Sequence, residues 1–101
     1  MKKLLSLAFG LLLVSGMCVG IHASQTIEVP GTTLGFTSDS GTQWNGRWAT
    51  ADLHGYNYKK QSVACVGNCS YSRVEDENTW KAFVKDLGGY TDKATAYYNY
   101  W

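Results

Sequence analysis

The 101-residue sequence predicts a small, mainly β domain built in two layers. Three observations carry that expectation. Past residue 40 the chain runs in short β-like stretches separated by polar breaks. One of them, SVACVGNCSYS, is apolar on both sides of a small Gly-Asn break, as a tight hairpin requires. The chain then closes on KATAYYNYW, whose tyrosines and tryptophan suit a strand.

The elements follow in chain order. Met1-Lys2-Lys3 precedes a run from Leu4 to Gly20 that carries no charge, the layout of a secretory signal peptide. The expected leader is 1–23, cut between Ala23 and Ser24, with Ile21 at the third position before the cut. A membrane anchor would need about 20 apolar residues, and this run is shorter and interrupted by Gly and Ser. A lipid-anchored Cys18 would want a small residue before it, where Met17 stands. The protein is therefore expected to pass the secretion machinery and work extracellularly.

Cleavage removes Lys2 and Lys3 and leaves a nearly neutral chain. Neutralising nucleic-acid phosphates needs a clear basic excess, so no nucleic-acid partner is expected. The same balance disfavours peptides that attack membranes by bulk positive charge. A chain this short forms one domain with a modest core, for which a covalent staple is useful. Cys65 and Cys69 remain after cleavage, and the oxidising exterior favours a disulfide between them.

Residues 24–40, rich in Ser, Thr and Gly, read as a flexible extension holding one weak alternating run, Thr26 to Val29. The compact domain is expected over 41–101. Its hairpin has arms Ser62–Cys65 and Cys69–Arg73 around Val66-Gly67-Asn68, close enough across the pair for a disulfide to span. In ENTWKAFVKDLGG, by contrast, Trp80, Phe83, Val84 and Leu87 fall at i, i+3, i+4 and i+7. With Asn78 as cap and Gly88 as stop, that pattern predicts a short amphipathic helix near 78–87. In the final strand Ala94, Ala96, Tyr98 and Tyr100 would share one face; Thr95, Tyr97, Asn99 and Trp101 would share the other.

Catalytic chemistry is thinly represented. After cleavage His54 is the single histidine, in DLHGYNYKK, and no nucleophile motif accompanies it. It reads as a partly exposed loop residue. Glu75, Asp76 and Glu77 read as a solvated turn rather than a paired-carboxylate site. Cys65, Cys69 and His54 are metal-ligand types, but an isolated secreted cysteine pair more often bonds to itself. No enzyme activity, metal or cofactor is expected. The aromatics remain, with Trp44, Trp48, Trp80 and Trp101 prominent in so short a chain. Most single rings are expected to build the core. The set is too large to hide whole, so some rings should serve recognition.

The ending KATAYYNYW resembles that of the lactococcin 972-type bacteriocins, small secreted antibacterial proteins, and GTQWNG at Gly41–Gly46 is similar to the start of their mature domain. The resemblance spans roughly Gly41 to Trp101; the CVGNC turn and residues 24–40 lie outside the pattern. It implies a sandwich of two small antiparallel sheets, with a strand rather than a helix at Trp80–Val84. It implies a protein without enzymatic activity that binds a cell-envelope target, with lipid II the candidate, and blocks septum formation. Dedicated immunity and transport proteins, and a homodimer, would accompany it. The candidate recognition residues are Trp44, Trp48, Tyr97, Tyr98, Tyr100 and Trp101. The candidate phosphate contacts are Arg47, Lys59, Lys60 and Arg73. The Tyr-Gly-Asn-Gly core of pediocin-like bacteriocins is missing from GYNYKKQSVACVGNC. The alternative reading is a non-toxic surface binding module, an adhesin or a carbohydrate-binding domain; a secreted hydrolase is a distant third.

Overall fold

The computed structural model describes Cys18–Gly20 and residues 24–101. Of the expected leader, 1–23, only Cys18–Gly20 is described, and Ala23 at the expected cut lies outside the described residues. The described residues form eight strands: β1 (Cys18–Gly20), β2 (Gln25–Glu28), β3 (Gly35–Gln43), β4 (Gly46–His54), β5 (Lys60–Val66), β6 (Asn68–Val74), β7 (Lys81–Gly88) and β8 (Ala94–Tyr100). They make two antiparallel sheets, ordered β1-β8-β5-β6 and β2-β3-β4-β7, packed as a small sandwich. The expected fold class is thus the observed one.

Of the two readings of 78–87, the helix that the spacing suggests and the strand that the resemblance implies, the structure has the strand. β7 pairs with β4 from Lys81↔His54 to Gly88↔Arg47, and Asn78, the proposed cap, sits in a turn where its amide donates to Asp76 Oδ1. Residues 24–40 are also not a loose lead-in. Pro30 and Gly31 occupy the centre of a type II turn, with Gly31 at φ 76° and Thr32 N donating to the Val29 carbonyl. That turn folds β2 onto β3 and seats Val29, Leu34 and Phe36 in the core. The compact domain therefore begins well before Gly41.

The core is unexpectedly poor in aromatic rings. Its inward positions are Ala49, Ala51, Leu53, Ala82 and Val84 from one sheet and Ala64, Val66, Ala94, Ala96 and Tyr98 from the other, joined by Val29, Leu34 and Phe36. Of the rings, Phe36 and Tyr98 alone are fully buried among the described residues. Small inward side chains let the layers approach closely: a Cβ on Gly88 would lie 2.0 Å from the Val66 carbonyl oxygen. Polar links also cross the layers. Leu53 N donates to the buried Ser62 hydroxyl, and Asp86 accepts from Val66 N and Ser70 Oγ at 2.8 and 2.7 Å.

The β5–β6 hairpin carries the Cys65–Cys69 disulfide, with Cα atoms 4.0 Å apart at paired positions. Gly67 turns the chain alone at φ 79°. Both cysteines are engaged with each other, which removes them as thiolate ligands.

Candidate functional site

The C-terminal strand places the candidate site. β8 pairs with β5 over its full length, from Ala94↔Val66 to Tyr100↔Lys60. Ala94, Ala96 and Tyr98 point inward and are buried, while Thr95, Tyr97 and Asn99 face outward with partial exposure. Trp101 continues the pairing: its amide donates to the Lys59 carbonyl and its carbonyl accepts from Lys59 N. The chain end is docked, as its aromatic content led us to expect.

Outward positions of β8, β5 and β6 line up in rows. Tyr97, Val63 and Tyr71 form one, and Asn99, Gln61 and Arg73 form the next. Tyr71 is 68% exposed. The Arg73 guanidinium lies 4.2 Å from the Trp101 ring centroid, donates to Glu75 Oε2 at 3.0 Å and reaches Gln61 Oε1. A planar cation stacked on an indole beside two phenols suits anionic or sugar-bearing ligands.

The sequence candidates separate into three groups. Tyr97, Trp101, Arg73 and Lys59 gather at or beside this face. Tyr98 is structural: its ring packs 4.8 Å from Phe36 across the layers. Tyr100 is partly buried, edge-on to Tyr58 at 5.5 Å. Lys60 points inward with no exposed surface and donates from Nζ to the Tyr58 carbonyl, so it cannot serve as a surface phosphate contact. Burial lowers its pKa, opposed by the nearby Asp76 charge.

The third group lies on the other sheet. Arg47 pairs with Gly88, near the disulfide end of the sandwich, and gives Nη2 to the Tyr90 carbonyl. It sits on the order of 20 Å from Arg73 by strand rise, so these cations form no single phosphate cradle. Trp48 lies over Gly41, and Trp44 projects from the β3–β4 turn. His54 ends β4 rather than lying in a loop; it rests on Gly35 and lies 5.7 Å from the Trp80 ring. Its Nδ1 is 3.9 Å from Asp52, whose pKa is raised by burial against the lowering pull of His54 and Lys81. Glu75, Asp76 and Glu77 form the exposed turn expected of them.

Sequence reasoning missed the outward placement of Tyr71, Phe83 and Leu87. For Tyr71 the signal was available, since two-residue periodicity from the paired Cys69 fixes its face. No family model, no curated protein and no solved structure matches this chain.

Proposed function

We propose that this chain is a secreted, non-enzymatic bacteriocin that binds an envelope component of related Gram-positive bacteria and blocks cell-wall formation at the septum. Lipid II is the candidate target. The observation that carries the reading is the division of labour in the last strand. Tyr98 serves the core, whereas Tyr97 and Trp101 serve an outer face that Arg73 completes. The resemblance of KATAYYNYW to the lactococcin 972-type ending supports the same reading. Arg73 would meet the pyrophosphate, and Tyr71, Tyr97 and Trp101 would cover sugar or lipid parts.

The test applies purified residues 24–101, and the Trp101→Ala and Tyr97→Ala variants, to growing Gram-positive cells and to immobilised lipid II. Wild type should bind and slow division without membrane leakage, and the variants should remain folded but lose both effects. Rapid leakage would replace the reading with pore formation. Binding to intact cells without any growth effect would favour the adhesin.

A further inference from the structure

The second sheet carries an outward face that the proposed function does not use. β7 points Lys81, Phe83, Lys85 and Leu87 away from the core, opposite His54, Asp52, Thr50 and Trp48 on β4. Phe83 is 50% exposed and Leu87 is 42% exposed. Exposed rings extend the strip at both ends, with Trp80 and Tyr56 in edge contact at 5.0 Å before β7, and Tyr90 and Trp44 beyond it. Apolar surface gathered on one strand and its flanks marks a docking surface rather than random exposure.

The charge pattern says what docks there. Lys81 Nζ lies 5.9 Å from the Phe83 ring and Lys85 Nζ lies 5.5 Å from the Trp48 ring, so each cation rides beside an apolar group. The acid on the same strand, Asp86, is turned to the other sheet, where it is held by Val66 and Ser70. Asp52 is mostly covered, its side chain 20% exposed beside His54 and opposite Phe83, and Asp39 and Glu28 stand on the far strands of the face. The β7 margin is therefore cationic although the whole chain is nearly neutral. A sugar polymer would want hydrogen-bonding groups where Phe83 and Leu87 offer none. A second copy on the same face would set the lysine pair of one against that of the other.

From this geometry we infer that the β7 face docks on an anionic lipid surface. Phe83, Leu87 and Trp48 enter the headgroup–acyl boundary, while Lys81 and Lys85 extend along them to the phosphates. The inference rests on a different face from Tyr97 and Trp101 and does not depend on the proposed target.

Residues 24–101 hold every core residue named among the described residues, and using them removes the apolar leader as a cause of binding. They should sediment with vesicles of phosphatidylcholine plus phosphatidylglycerol and not with phosphatidylcholine alone. Each lysine near an anionic surface strengthens binding roughly fivefold, so Lys81→Gln with Lys85→Gln should weaken it by about 25-fold. Phe83→Ser with Leu87→Ser should abolish it while thermal unfolding shows an intact fold. Three results would overturn the inference. One is no sedimentation of wild type with anionic vesicles. Another is equal binding by both double variants and wild type. The third is a lipid-free dimer that Phe83→Ser with Leu87→Ser dissolves, which would assign the face to a second copy.

Discussion

Truncating Tyr98 and truncating Trp101 should have sharply different consequences, although the two lie three residues apart on one strand. Tyr98 is 4% exposed and packs its ring against Phe36 at 4.8 Å with an interplanar angle of 47°. Ser62 directly across β5 and Ala96 two residues back on β8 are small inward neighbours that cannot fill the space it would leave. Truncating a buried aromatic to alanine costs about 3–5 kcal/mol. A domain of this size has on the order of 4–12 kcal/mol in total, so Tyr98→Ala removes a large share. Trp101 is only partly covered, and its cation–π contact with Arg73 at a surface site contributes about 0.5–1 kcal/mol. Its backbone hydrogen bonds to Lys59 survive the Trp101→Ala change. Urea unfolding followed by fluorescence measures both. With a slope of about 1 kcal/mol per M, Tyr98→Ala should lower the midpoint by about 3 M and Trp101→Ala by about 1 M or less. Equal losses, or a Tyr98→Ala loss below about 1 kcal/mol, would refute the assignment of structural and recognition roles within β8.

Three further outcomes are expected. Lys60→Met should stabilise the protein by about 1 kcal/mol at neutral pH, because it removes a buried cation whose hydrogen bond among the described residues is to the Tyr58 carbonyl. Its folded pKa lies below the ordinary 10.5, so the unfolded chain binds more protons in that window and stability rises with pH toward 10.5. Melting curves across alkaline pH should lose that rise in Lys60→Met. Reducing Cys65–Cys69 should remove about 2 kcal/mol without unfolding the domain, since Asp86 still ties the hairpin to β7; loss of the near-ultraviolet circular dichroism on reduction would contradict this. Finally, β1 covers the outer edge of β8 through Cys18↔Tyr97 to Gly20↔Thr95, so a chain starting at Ser24 should exchange β8 amide protons faster than the full chain. Equal exchange would show that β1 does not protect that edge.

Much of this fold was legible because strands report themselves by alternation. The hairpin follows from apolar arms around a Gly-Asn break, and its cysteine pair from the distance across such arms. The two faces of β8 follow from a period of two, and all are found. Two features escaped for physical reasons. Residues 24–40 look loose because Ser, Thr and Gly dominate them, yet sparse apolar residues suffice: Val29, Leu34 and Phe36 complete a core otherwise lined with alanine. Lys60 looked like a surface cation by type, and the parity of β5 decided otherwise. Ser62, Ala64 and Val66 face inward, so Lys60 must do so too.

The helical pattern at Trp80–Leu87 is the most informative miss. Val84 and Ala82 serve the core, while Phe83 and Leu87 face outward and Trp80 stands in the turn before the strand. A strand with one apolar face would have shown clean alternation. Apolar residues added to the second face fill the gaps and reproduce the i, i+3, i+4, i+7 spacing of a helix. Packing alone gives no reason to place Phe83 and Leu87 against water, where each leaves apolar area unburied. Local rules fail most often where a sequence also has work to do at its surface. If the β7 face is that surface, replacing Phe83 and Leu87 by threonine, a good strand former, should leave stability unchanged within about 0.5 kcal/mol while binding disappears. A large loss of stability would mean instead that these side chains hold the sandwich together, and that their exposure conceals a structural role.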